Sequence, residues 1–168
     1  QGMYTPDLVW QSHMPYEVLK DSANELWIFV DEANPSVREP GSALSKDRII
    51  TAGMKEVLAI VPGAVIAKPD SKLQHIPLLI TGTESGLING NKMRDLMTGG
   101  TKFAEVVSGT RPEIPIAMSI EGKETIDGSE KSIKAVYVSD ADLMLPEFSM
   151  IRADPDTLTE ARFQFQNV

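Results

Sequence analysis

The residues of this chain best suited to chemistry stand where apolar runs end. AVYVSDADLM (135–144) closes on Asp140 and Asp142, two acids one residue apart, and WIFVDE closes on Asp31 and Glu32. Two carboxylates at i and i+2 of an extended segment point the same way, which suits a hard cation such as Mg²⁺ or Ca²⁺ once further oxygen ligands complete its shell. No such set stands nearby in the sequence. Aspartate also caps helices and braces loops by accepting backbone N–H groups; capping or bracing is the reading favoured for Asp140 and Asp142, and ordinary turn acids for Asp31 and Glu32. TGTESG (81–86) and MTGGTKF (97–103) carry the residues of an anion-cradling loop. Neither has the Walker spacing G-x-x-x-x-G-K-[ST] or the dinucleotide spacing G-x-G-x-x-G.

The other reactive types are sparse. His13 and His75 are the only histidines. No G-x-S-x-G elbow places a serine on a sharp turn for either of them to activate. H-E-x-x-H is absent, so histidine catalysis is not expected. Trp10, Tyr16 and Trp27 have the side chains of a sugar-stacking surface, although Trp27 lies inside an apolar run and reads as core. No nucleophile, base and oxyanion site assemble. The expectation is a protein without enzymatic activity, metal or cofactor. If a small polar molecule such as a sugar binds, the strand-end residues Asp31, Thr81, Ser85, Asp140 and Asp142 are the candidates to hold it.

The elements that position these residues are mostly strands. ELWIFVD (25–31), VLAIVPGAVIA (57–67, two segments about Pro62-Gly63), IPLLITG (76–82), IPIAMSI (114–120) and IKAVYVSD (133–140) are short apolar runs rich in Ile, Val and Leu. Nearly continuous apolar strands are covered on both faces, as in a layered α/β sheet with flanking helices. Helical patterns are fewer: 42–58, divided by Gly53; 91–107, broken at Gly99-Gly100; and short turns within 144–165. GKETIDGSEKS (122–132) is polar and glycine-spaced, and reads as an exposed hairpin tip or a flexible loop.

The totals exclude several function classes. The 168 residues suit a single soluble domain with a sizeable core. Sixteen Lys and Arg against 24 Asp and Glu give a net charge of −8, without a dense basic run, which argues against nucleic acid as a partner. There are no cysteines, hence no disulfide, thiolate metal site or cysteine nucleophile. No apolar run approaches the roughly 20 residues that span a bilayer. The chain stops inside the aromatic and apolar RFQFQNV, the mark expected of a fragment cut from a larger protein.

The order of these segments resembles a known family. DLVW, ELWIFVDEAN, RIITAGMKEVLAIVPGAV, IPLLITGTESGLI, IPIAMSIEGK, AVYVSDADLMLPEF and FQFQNV follow one another as in the C-terminal part of the extracytoplasmic domain of GldG-like proteins. These are auxiliary components of ABC-2-type transport systems, first associated with gliding motility. The resemblance spans most of 7–168 and rests on apolar strands with Gly, Pro and Asp marks. It implies a partial α/β domain related to flavodoxin-like or class I amidotransferase-like sandwiches. It also implies a non-catalytic role on the periplasmic, extracytoplasmic face of the inner membrane, reached through membrane helices outside this sequence. The implied partners are the permease, in direct contact, and the ATPase, indirectly. VSDADLM matches the family's acidic strand end.

Overall fold

Ile126-Asp127-Gly128-Ser129 organises the largest part of the chain. Asp127 and Gly128 both take positive φ, 53° and 75°. That is the type I′ geometry whose twist matches a two-residue hairpin. The turn joins two long antiparallel strands, Pro115–Ile126 and Ser129–Val138. The segment 122–132 is thus the exposed tip of a regular hairpin. An alanine at Gly128 must hold a left-handed conformation that costs an L-residue about 1 kcal/mol. Gly128→Ala is therefore expected to lower the unfolding free energy by about that amount, read from urea melts.

The structure is a computed structural model that describes residues 3–4, 7–15, 25–32, 34, 42–107, 111, 113–140 and 146. Its strands are β1 (Met3–Tyr4), β2 (Asp7–Gln11), β3 (Trp27–Asp31), β4 (Glu56–Ile60), β5 (Ile66–Ala67), β6 (Gln74–Ile80), β7 (Ser85–Asn89), β8 (Pro115–Ile126) and β9 (Ser129–Val138). Two helices, α1 (Gly90–Met97) and α2 (Phe103–Val106), lie between β7 and β8. Among the described residues every strand pairing is antiparallel: β1 with β5, β2 with β7, β3 with β4, and β8 between β6 and β9.

The expected α/β sheet with flanking helices is therefore corrected to a mostly β fold of small antiparallel sheets. Parallel strands need crossover connections of a dozen or more residues, usually helical. Among the described residues, short turns connect strands at 61–65 and 81–84, and of the segment 42–58 that carried a helical pattern, 42–54 holds turns and one isolated bridge while 56–58 opens β4. In that segment Thr51 and Ala52 both donate their N–H to the Arg48 carbonyl, and the Thr51 hydroxyl donates to the Ser45 carbonyl at 2.6 Å. A hydroxyl competing for backbone carbonyls beside two β-branched isoleucines stops the helix after one turn.

Among the described residues, the continuous apolar strands of the larger core are covered by other ribbons. Ile28 and Val30 of β3 lie directly opposite Ala59 and Val57 of β4. All four join Val9, Leu78, Leu79, Ile114, Ile116 and Ala117 in one buried cluster. The alternation of β2 then separates two cores. Val9 faces that cluster, while Trp10 enters a second one with Leu26, Ile88 and Met93. Helix α1 covers the second cluster. It is capped where the Asn89 side chain accepts the Asn91 N–H at 3.0 Å, and it stops before Gly99, whose φ is 74°. The short helix, turn and second short element expected in 91–107 are present.

Candidate functional site

Thr81 and Ser85 flank the turn from β6 into β7, and both are wholly buried. Their hydroxyls lie 2.7 Å apart. Thr81 Oγ1 accepts the Ile114 N–H at 2.9 Å, and Ser85 Oγ donates to the Gly82 carbonyl at 2.7 Å. Gln11, at the end of β2, completes the arrangement. Its Nε2 donates to the Phe29 carbonyl and its Oε1 accepts the Gly82 N–H, each at 2.8 Å. Three polar side chains thus tie β2, β3, β7 and the start of β8 together where no water reaches. Thr81→Val keeps the shape and removes the acceptor of a buried N–H. It is expected to destabilise the chain by about 1–3 kcal/mol in chemical denaturation.

Asp31 is buried at the end of β3, and its Oδ2 lies 2.5 Å from His13 Nε2. The neighbouring Glu32 is exposed and pairs with Lys46 at 2.7 Å. The hydrogen bond and positive charge of Lys46 hold the Glu32 carboxyl below its ordinary range. Asp140 is also buried, and its Oδ2 accepts the Ile60 N–H at 2.8 Å. That is the bracing expected of an acid leaving a strand. Ile60 pairs with Trp27 and Glu56 with Asp31, so Asp140 anchors the opposite end of the β3–β4 ribbon from Asp31. Four residues of strand put about 13 Å between those two ends. The acidic strand ends do not converge. Asp142 and Tyr16 lie outside the described residues. Trp10 is buried against Phe103, edge to face at 6.5 Å, and Trp27 sits in β3.

The surface carries what the acids lack. Ser119 faces Val136 and Glu121 faces Lys134 across β8 and β9, so these four side chains share one face of the sheet. Above them stands the turn 47–50. Arg48 Nη1 reaches Glu121 Oε1 at 2.7 Å, and Ser119 Oγ donates to the same oxygen at 3.1 Å. Arg48 thus pins the turn to the sheet. Ile49, at its crest, is 99% exposed and Ile50 is 48% exposed. Between turn and sheet lies an open groove of about 500 Å³ lined by these residues with Asp47 and Ala135. A second, polar cleft of about 430 Å³ lies between the 68–73 loop and the hairpin arm, beside Lys68, Lys72 and Lys123. Of the strand-end candidates, the described Asp31, Thr81, Ser85 and Asp140 line neither cleft. Among the described residues no three acidic or histidine side chains are grouped as a metal shell requires.

Sequence reasoning missed Gln11, the His13 partner of Asp31, and the Ile49–Ile50 turn. Only Gln11 left a trace, as the polar residue ending the DLVWQ run. No family model, no curated protein and no solved structure matches this chain.

Proposed function

We propose that the chain is a non-catalytic domain that works by protein contact, as the auxiliary component of an ABC-type transport system. Its direct partner is the permease, with the ATPase reached through it, and it stands on the extracytoplasmic side of the membrane. One observation carries the contact role. Ile49 is held out in solvent on a turn pinned by Arg48, above a groove whose floor includes the half-exposed Val136. An apolar side chain fixed in water gains free energy only when a partner covers it. The GldG-like segment order supports the choice of partner. The buried, internally bonded Thr81 and Ser85 favour this reading over a sugar bound at the strand ends.

The test is a photo-crosslinking residue at position 49 in the full-length protein, expressed in its own cells. The expected result is an adduct identified by mass spectrometry as the permease encoded beside its gene. The same residue placed at Ile126 on the hairpin tip should give none. Adducts from position 49 that contain only proteins unrelated to transport would refute the proposal.

A further inference from the structure

The cleft between the 68–73 loop and the hairpin arm has a definite structural cause. β6 starts at Gln74, opposite Glu121, so the loop that leads into it runs beside the next residues of β8. Leu73 is buried there against Gly122. Gly122 holds φ at 145°, and an alanine Cβ in its place would lie 3.0 Å from Leu73 Cδ2. Glycine is what lets loop and arm touch at this point. The loop also holds its own shape. Ser71 donates its N–H to the Lys68 carbonyl at 3.1 Å, and its hydroxyl accepts the Leu73 N–H at 3.3 Å. Beside the Leu73–Gly122 contact, loop and arm bound an open space of about 430 Å³.

The walls of this space carry both signs of charge. Lys68, Asp70 and Lys72 stand on the loop, and Lys123 and Glu124 on the arm, all five of them exposed. Lys123 is held by Glu130 at 2.7 Å across the hairpin. With three cations beside two acids, the cleft suits neither a simple anion nor a simple cation. The net charge of −8 sets a long-range field against anions, and the lysines oppose a metal ion. A ligand that turns a carboxylate to the lysines and an ammonium to the acids gains charge-assisted hydrogen bonds from both. The Thr125 hydroxyl adds a neutral partner for an amide. The space is within the range of small-molecule sites, roughly 300–1,000 Å³.

We propose that this cleft binds short peptides with both ends free. The C-terminal carboxylate lies on Lys68 and Lys72, and the N-terminal ammonium on Asp70 and Glu124. The cleft shares no lining residue with the groove under the Ile49 turn. It therefore stands or falls independently of the docking role.

The test is an NMR titration of the isotope-labelled protein with triglycine, N-acetyl-triglycine and triglycine amide, followed through backbone amide shifts. Triglycine should saturate by about 10 mM, with the shifts centred on 68–73 and 122–125. Blocking either end should weaken binding by about tenfold or more, because hydrogen bonds to charged groups are the strong ones. Glycine, which has both charges but no amide, should also bind more weakly than triglycine. Lys68→Gln with Lys72→Gln should bind triglycine and its amide equally. Asp70→Asn with Glu124→Gln should bind triglycine and its acetylated form equally. These side chains are exposed, so the variants should keep the parent's fold, which an unchanged spectrum elsewhere checks. Shifts that do not saturate or that centre on other residues overturn the proposal, and so does a blocked form that binds as tightly as triglycine. Glycine binding as tightly as triglycine overturns the assignment to peptides.

Discussion

Replacing Gln11 with leucine is expected to lower the unfolding free energy by about 2–4 kcal/mol, although the change makes a buried side chain more apolar. Gln11 is 1% exposed and bonds to the Phe29 carbonyl and the Gly82 N–H, both buried backbone groups. Leucine satisfies neither, and each buried polar group left without its partner costs about 1–3 kcal/mol. The gain from burying leucine carbons, about 0.8 kcal/mol per CH₂, offsets part of this. Urea denaturation followed by tryptophan fluorescence measures the difference. Gln11→Glu is informative beside it: the acceptor oxygen survives while the donor to Phe29 is lost and a charge is buried, so its loss should be at least as large. A leucine variant as stable as the parent would show that the three strand pairs do not depend on this bridge.

Ile49→Asp should behave in the opposite manner. Its side chain lies almost wholly in solvent, so folding stability should stay within about 0.5 kcal/mol of the parent, as surface changes away from special features do. Partner affinity should fall by about 30-fold or more. A central apolar anchor is worth at least about 2 kcal/mol at an interface, and a carboxylate in its place must also be stripped of water. A large effect on binding without an effect on melting separates a docking side chain from a structural one. Thr81→Val is the converse case, with stability lost and affinity kept.

The strands themselves were legible because Ile, Val and Leu cluster between turn residues. Apolar runs at 25–31, 57–67, 76–82, 114–120 and 133–140 each contain part of an observed strand or strand pair. Gly99-Gly100 marked the break between α1 and α2. The fold class was not legible. An apolar run shows that both faces of a strand are covered, but it does not show what covers them. For Ile28 and Val30 the cover is other antiparallel ribbons rather than helices. The acids were readable as strand ends, and Asp140 does take a backbone N–H there. Their separation was not readable, because it depends on the antiparallel register that sets Asp31 beside Glu56 and Ile60 beside Trp27. The groove was hidden for a similar reason. Ile49 and Ile50 sit in a segment with a helical pattern, and the Arg48–Glu121 pair that holds their turn above the sheet spans 73 residues of sequence.

The most direct measurement is a titration of the proposed partner, the permease, reconstituted in lipid nanodiscs, with the protein and its Ile49→Asp and Thr81→Val variants, alongside melting curves for each. Weakened association with an unchanged melt for Ile49→Asp, and a lowered melt with unchanged association for Thr81→Val, is the outcome this account requires. Equal association by parent and Ile49→Asp would contradict it.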